Sequence, residues 1–262
     1  MEHTVPLLHG SYSDRTGRNL FRAAGGLAAI AGLCGYDSDA HGLAQRYFHQ
    51  ALRLAKASSD RRFGGYVVAL LVNQAMFLRE YRQAIGFAEA GLRSAGSHIS
   101  PALRTDLFVM KAKAFAGMKA VRDAHHCMAL AEQTATRIRR EDEPPETEYM
   151  QPGLLEAQLA EALISLGDLE PAREYAEEAV RLRTHARGRA HRLATLTTVE
   201  LKRGEVERAA MSAVQMVELA VGMESWRLRD RLGQLRGRLA QHRAAVATEA
   251  VARIDEALSI SL

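Results

Sequence analysis

Small and apolar residues return along this chain at a helical interval inside a much longer period. Ala44, Phe48 and Ala51 stand four and then three residues apart, which puts them on one face of a helix. The same arrangement recurs as Ala84, Ala88 and Gly91, then as Ala124, Met128 and Ala131. Ala172, Ala176 and Ala179 make a fourth copy, and Ala209, Ala213 and Met216 a fifth. The steps between copies are 40, 40, 48 and 37 residues. Small side chains let helices approach closely, and a repeat of this length holds two helices. The pattern therefore predicts an all-α chain of stacked helical hairpins, with about eleven or twelve helices and no strand-like alternation.

Punctuation between the apolar runs sets the expected bounds. Residues 1–17 read as a turn-rich lead-in, 18–222 as five hairpins and 223–262 as capping helices. The first helix is expected over about Arg18 to Tyr36, followed by a turn at Asp37-Ser-Asp39 whose short side chains suit a helix start. Asp60 is placed to cap the third helix. Ser100 followed by Pro101 reads as a cap with proline in the first helical position. The charged Arg139–Glu148 segment, with its Pro-Pro stop, accounts for the longer third step. Turns are expected at Arg79-Glu80, Gly167-Asp168 and Gly204-Glu205. Trp226, Leu228, Leu232, Leu235 and Leu239 share a helical face in the last segment, with Trp226 as core filler.

Composition changes the picture little. Hydrophobic residues make up 47% of the chain but aromatics only 6%, as suits helices that bury Ala and Leu. Cys34 and Cys127 cannot make a disulfide framework, and a reducing cytoplasm is the expected location. No run of roughly 18 apolar residues is available to span a bilayer, so no membrane partner is expected. The net charge is +4, and residues 223–243 alone hold six Arg against Glu224 and Asp230. That arginine-rich face reads as solvent-facing, with docking of an acidic partner as the alternative. The basic run Arg181–Arg192 lacks interleaved aromatics and reads as a solvated turn.

Twelve residues before each anchoring alanine stand Gly32, Val72, Ala112, Ala160 and Thr197, and Leu71, Leu159 and Leu196 precede three of them. This Leu-small pair resembles the tetratricopeptide repeat (TPR). Its clearest copy is Leu159-Ala160, then Gly167-Asp168-Leu-Glu-Pro-Ala172, then Ala176 and Ala179. Further phrases, Leu8-His-Gly-Ser-Tyr-Ser-Asp-Arg-Thr-Gly17 and His41-Gly-Leu-Ala-Gln-Arg-Tyr-Phe48, resemble the C-terminal TPR region of actinobacterial helix-turn-helix transcriptional regulators. The resemblance implies a right-handed TPR-like superhelix of about five hairpins with a C-terminal capping helix. It also implies a regulatory ligand- or peptide-sensing domain, the alternative being a stand-alone protein–protein adaptor. It does not extend to a DNA-binding domain, so no direct sequence-specific DNA binding is expected of this chain, while a homodimer is left open.

In a TPR array the first helix of each pair lines the concave face. Counting back from the anchors places Tyr66, Asn73, Met76, Phe77, Asp106, Lys113, Glu161, His191 and Thr198 on it. Such a mixture of apolar walls and a few convergent polar groups is what ligand sites carry. The Asn73 amide can pair with a peptide backbone in both directions, or it can be a solvated lining residue. Lys113 can anchor a carboxylate, or pair with Asp106. His125-His126-Cys127 does not read as a metal site, because neighbours on a helix point about 100° apart and no second ligand cluster completes it. No glycine-rich phosphate loop or nucleophile elbow is present. No cofactor is expected, and binding is expected in place of catalysis.

Overall fold

The structure, a computed structural model, describes Leu8 and residues 10–260. Among these residues the chain forms twelve α-helices and no strand. It divides into two compact units, Met1–Tyr149 and Met150–Leu262. No helix among the described residues is long and apolar enough to cross a membrane.

The first unit contains α1 (Asp14–Asp37), α2 (His41–Ser58), α3 (Arg61–Phe77), α4 (Tyr81–Ala95), α5 (Pro101–Gly117) and α6 (Val121–Ala135). The second contains α7 (Leu154–Leu166), α8 (Leu169–Arg181), α9 (Ala186–Arg203), α10 (Val206–Ala220), α11 (Trp226–Leu239) and α12 (Ala245–Ile260). Within each unit, every helix packs on the next along the chain. Alternate helices also touch: α3 meets both α1 and α5, and α9 meets both α7 and α11. At the end of the second unit α10, α11 and α12 close on one another.

One turn is built five times. The residue five positions before each anchoring alanine has a positive φ: Asp39 at 60°, Arg79 at 60°, Lys119 at 61°, Gly167 at 103° and Gly204 at 83°. In each case the following N–H reaches back five residues to a carbonyl of the preceding helix. These bonds are Ala40 to Gly35 (2.8 Å), Glu80 to Ala75 (2.8 Å), Ala120 to Phe115 (2.9 Å), Asp168 to Leu163 (3.0 Å) and Glu205 to Glu200 (2.9 Å). This left-handed closure satisfies carbonyls that the helix end leaves open. The next helix begins one residue later, and its fourth residue is the anchor. Ala44, Ala124, Ala172 and Ala209 are wholly buried and Ala84 nearly so. The approach is close enough that a β-carbon on Gly32 would lie 2.4 Å from the Phe48 ring.

The expected caps at Asp60 and Ser100 form, accepting from the N–H groups of Phe63 (2.9 Å) and Leu103 (3.3 Å). Three expectations need correction. Helix α1 starts at Asp14, inside the lead-in, because the Ser13 hydroxyl caps it by accepting from Thr16 N–H at 3.3 Å. Of the remaining lead-in, residues 1–7 and 9 lie outside the described residues. The Asp37–Asp39 turn does not cap α2 with a side chain; Asp39 is the left-handed residue, and its carboxylate sits 2.9 Å from His41 Nε2. Trp226 is 48% exposed and fills no core, the buried face of α11 being Leu228, Leu232, Leu235 and Leu239.

Candidate functional site

The positions counted back from the anchors divide between the two units and meet different surroundings. Eleven residues before the anchors, Leu33, Asn73, Lys113, Glu161 and Thr198 are all half-buried. This is the burial of a lining row, between the core and open solvent. Asn73 donates its amide to the Ala69 carbonyl one turn back, at 3.2 Å.

In the first unit the positions eighteen before the anchors, Tyr66 and Asp106, are covered from within the chain. Tyr149 lays its hydroxyl on the Asp106 carboxylate, donating at 2.6 Å, and its ring stands 6.3 Å from that of Tyr66. About a third of Tyr149 stays exposed while its hydroxyl faces inward. Burial, then the adjacent Asp106 charge, push that hydroxyl well above its ordinary pKa. Tyr66 is raised as well, first by burial, with Arg22 opposing. Asp106 is wholly buried, so a position that the spacing put on an open groove lies beneath a tyrosine of the same chain.

The segment carrying Tyr149 is fastened at two more points. Glu143 accepts from the Ala102 N–H at the start of α5 at 3.0 Å, where a carboxylate also meets the positive end of the helix. Glu146 pairs with Arg22. Arg22 in turn holds Asp60 at 2.9 Å and lies over the Phe63 ring at 3.7 Å. Phe77 belongs to a separate aromatic group, 5.5 Å from Tyr36 edge to face and 5.1 Å from His41. Met76 is half-buried beside the core of α3, α4 and α5. The nominal loop is thus a strap, with two short 3-10 turns at Arg140–Asp142 and Pro145–Thr147.

In the second unit the row eleven residues before the anchors opens on a cavity. Glu161 and Thr198 line it together with Thr195, Arg231, Gln234 and Arg238, over a volume of about 210 Å³. Ile164, Ala194 and Leu235 form its apolar side. Arg231 organises the polar side. It pairs with Glu161 and donates to the His191 carbonyl at 3.1 Å, while the Thr195 hydroxyl donates to Glu161 at 3.1 Å. His191 is held neutral: burial and then the charges of Arg231, Arg227 and Arg187 lower its pKa to about 3, with Glu161 opposing.

The arginine-rich helix is therefore less free than its sequence implies. Arg231 serves the cavity, Arg229 donates to the Leu258 carbonyl at 3.0 Å, and Arg236 grips Asp255 with two bonds of 2.9 and 3.0 Å. The basic run Arg181–Arg192, whose second half lies in α9, also ends differently from a solvated turn. Arg192 is buried, donating to the Ala179 and Leu182 carbonyls at 3.0 Å each and to the Pro152 carbonyl. It closes the C-terminal end of α8, where helix carbonyls favour a cation. His125 and His126 are exposed and Cys127 is buried, each on its own side of α6. Spacing named Glu161 and Thr198, which line the cavity, and Tyr66 and Asp106, which lie against Tyr149. It missed Tyr149 and Arg231, whose partners lie 43 and 70 residues away in sequence.

No protein-family model and no curated protein matches the chain.

Proposed function

We propose that the chain is a tetratricopeptide-type array of five helical hairpins, closed by α11 and α12, that serves as a ligand- or peptide-sensing module of a bacterial transcriptional regulator. One observation supports it above the others: the same left-handed turn stands five residues before a buried small anchor in all five copies. Helical repeats conserve the packed joint and leave the exposed face of each pair free to vary, and binding is what such faces do. The regulatory role rests on the resemblance of the Leu8–Gly17 and His41–Phe48 phrases to regulator sensor regions. The cavity of the second unit favours a sensor over a plain adaptor, because polar groups converge there on a half-open recess with an apolar side.

Sensing requires a bound species, and that can be weighed. Native mass spectrometry of the protein purified from its own host is expected to show a retained species above the chain mass, released on denaturation. A spectrum with the bare chain mass alone would count against the sensor reading and for the adaptor.

A further inference from the structure

We infer that the cavity of the second unit binds a small aliphatic carboxylic acid that also carries an N–H or O–H donor. The inference rests on the sensor reading and names the chemistry of its ligand.

The charges point to an anion. Of the ionised side chains lining the cavity, Glu161 is paired with Arg231, while Arg238 pairs with no carboxylate among the described residues. One positive charge is left over, at the mouth. A guanidinium presents parallel N–H groups that match the two oxygens of a carboxylate.

The hydroxyls set the rest. Thr198 has already given its proton to the Ala194 carbonyl at 2.8 Å, and Thr195 has given its own to Glu161 at 3.1 Å. Ser165 donates to the Glu161 carbonyl at 2.9 Å. The Thr195 oxygen is buried and also accepts from Arg231 at 3.4 Å, so it is Thr198 that can offer a ligand lone pairs. Gln234 commits its amide nitrogen to Asp230 at 2.8 Å and keeps its carbonyl oxygen as an acceptor. A ligand bearing only acceptors would meet these two without a donor between. One with a carboxylate for Arg238 and a donor for Thr198 or Gln234 satisfies both sets.

Size and walls complete the description. Ile164, Ala194 and Leu235 ask for a short aliphatic group. At about 210 Å³ the space is smaller than the roughly 300 Å³ at which sites for drug-sized ligands begin. An N-acyl or hydroxy acid with a branched side chain has this make-up, and so has the last residue of a peptide.

N-acetyl-L-leucine carries all three features, and N-acetyl-L-leucinamide differs from it in lacking the charge. Calorimetry on the full chain is expected to show saturable binding of the acid and at least about tenfold weaker binding of the amide, a difference of about 1.4 kcal/mol. Arg238→Gln should weaken the acid by about the same factor. Thr198→Val, which keeps the shape and removes the acceptor, should weaken it severalfold. Arg243→Gln, outside the cavity, should bind as the wild type does. A short peptide ending in leucine separates the sources: tighter binding than the free acid identifies a chain terminus, weaker binding a free metabolite, and in both the carboxylate is what Arg238 reads. Equal affinity for acid and amide, equal affinity of wild type and Arg238→Gln, or no saturable binding of any probe overturns the inference. A species retained from the host equally by wild type and Arg238→Gln would overturn it too, while leaving the sensor reading intact.

Discussion

The two units use one repeat joint and treat the face above it in opposite ways. In the first, Tyr66 and Asp106 lie under Tyr149, and the strap 139–149 is held at Glu143, Glu146 and Tyr149. In the second, Glu161 and Thr198, two turns further along their own helices, border open space. Their joints differ as well. The first unit closes its turns with Asp39, Arg79 and Lys119, side chains that pay for a left-handed φ, and the second with Gly167 and Gly204, which do not. A packed joint fixes spacing and small residues, while the face above it is free to be sealed or left open. The similarity of copies along the chain thus says little about which copy binds.

If the strap closes the first unit, cutting its best bond has the largest effect. Tyr149→Phe leaves the buried Asp106 carboxylate without that donor and is expected to cost about 1.5–3 kcal/mol in urea unfolding. The pH dependence sharpens this. The raised pKa makes the Tyr149 contribution complete below pH 10 and progressively lost above it, as the unfolded state ionises first. The wild type should lose stability above pH 10 more steeply than Tyr149→Phe; parallel curves would mean that the strap bond contributes nothing.

The second unit should fail on the acid side. The lowered pKa of His191 makes its contribution complete above about pH 6.5 and lost as pH falls toward about 3, because the unfolded state takes up the proton first. One proton bounds the slope at about 1.4 kcal/mol per pH unit. His191→Gln should flatten the loss between pH 6.5 and 4, read from unfolding midpoints. An unchanged slope would place the ring in contact with solvent.

The turns give the next effect down. Arg79→Gly relieves a left-handed conformation worth about 1–2 kcal/mol and frees the unfolded chain by about 0.4–1. A net gain of roughly 0.5–1 kcal/mol is expected. Gly167→Ala should lose stability by more than about 0.4–1 kcal/mol although nothing lies within 4 Å of the new β-carbon. The two variants moving in the same direction would show that the joints are not equivalent.

Smallest of all, Asn73→Ala should change stability by less than about 0.5 kcal/mol, its side chain being half-buried and its amide donating to the Ala69 carbonyl of its own helix. A loss well beyond that would show the row in the first unit to be part of the core.

What was legible in the sequence follows from range. The joint was readable, because Ala44, Ala84, Ala124, Ala172 and Ala209 lie at fixed distances from their own turns and from small partners twelve residues back. Caps at Asp60 and Ser100 were readable for the same reason, since each bonds three residues ahead. Tyr149 and Arg231 carried no local signal. One sits in a charged segment that looked like an insertion, and the other among arginines that looked solvated. Their partners are set by packing, which spacing along one helix does not encode. Glu161 was found on its face, but the charge that remains beside it belongs to Arg238, on a helix read as a cap.

The difference between the units can be watched directly. The seven isoleucines divide between them: Ile30, Ile85, Ile99 and Ile138 in the first, and Ile164, Ile254 and Ile260 in the second. Among the described side chains, Ile164 is the one of these that lines the cavity. With isoleucine methyl groups labelled and assigned by single Ile→Val variants, a titration with N-acetyl-L-leucine is expected to move the Ile164 signal along a saturating curve and leave the four of the first unit in place. Saturating shifts at Ile85 or Ile99 with Ile164 unmoved would put the open face in the first unit and contradict the account.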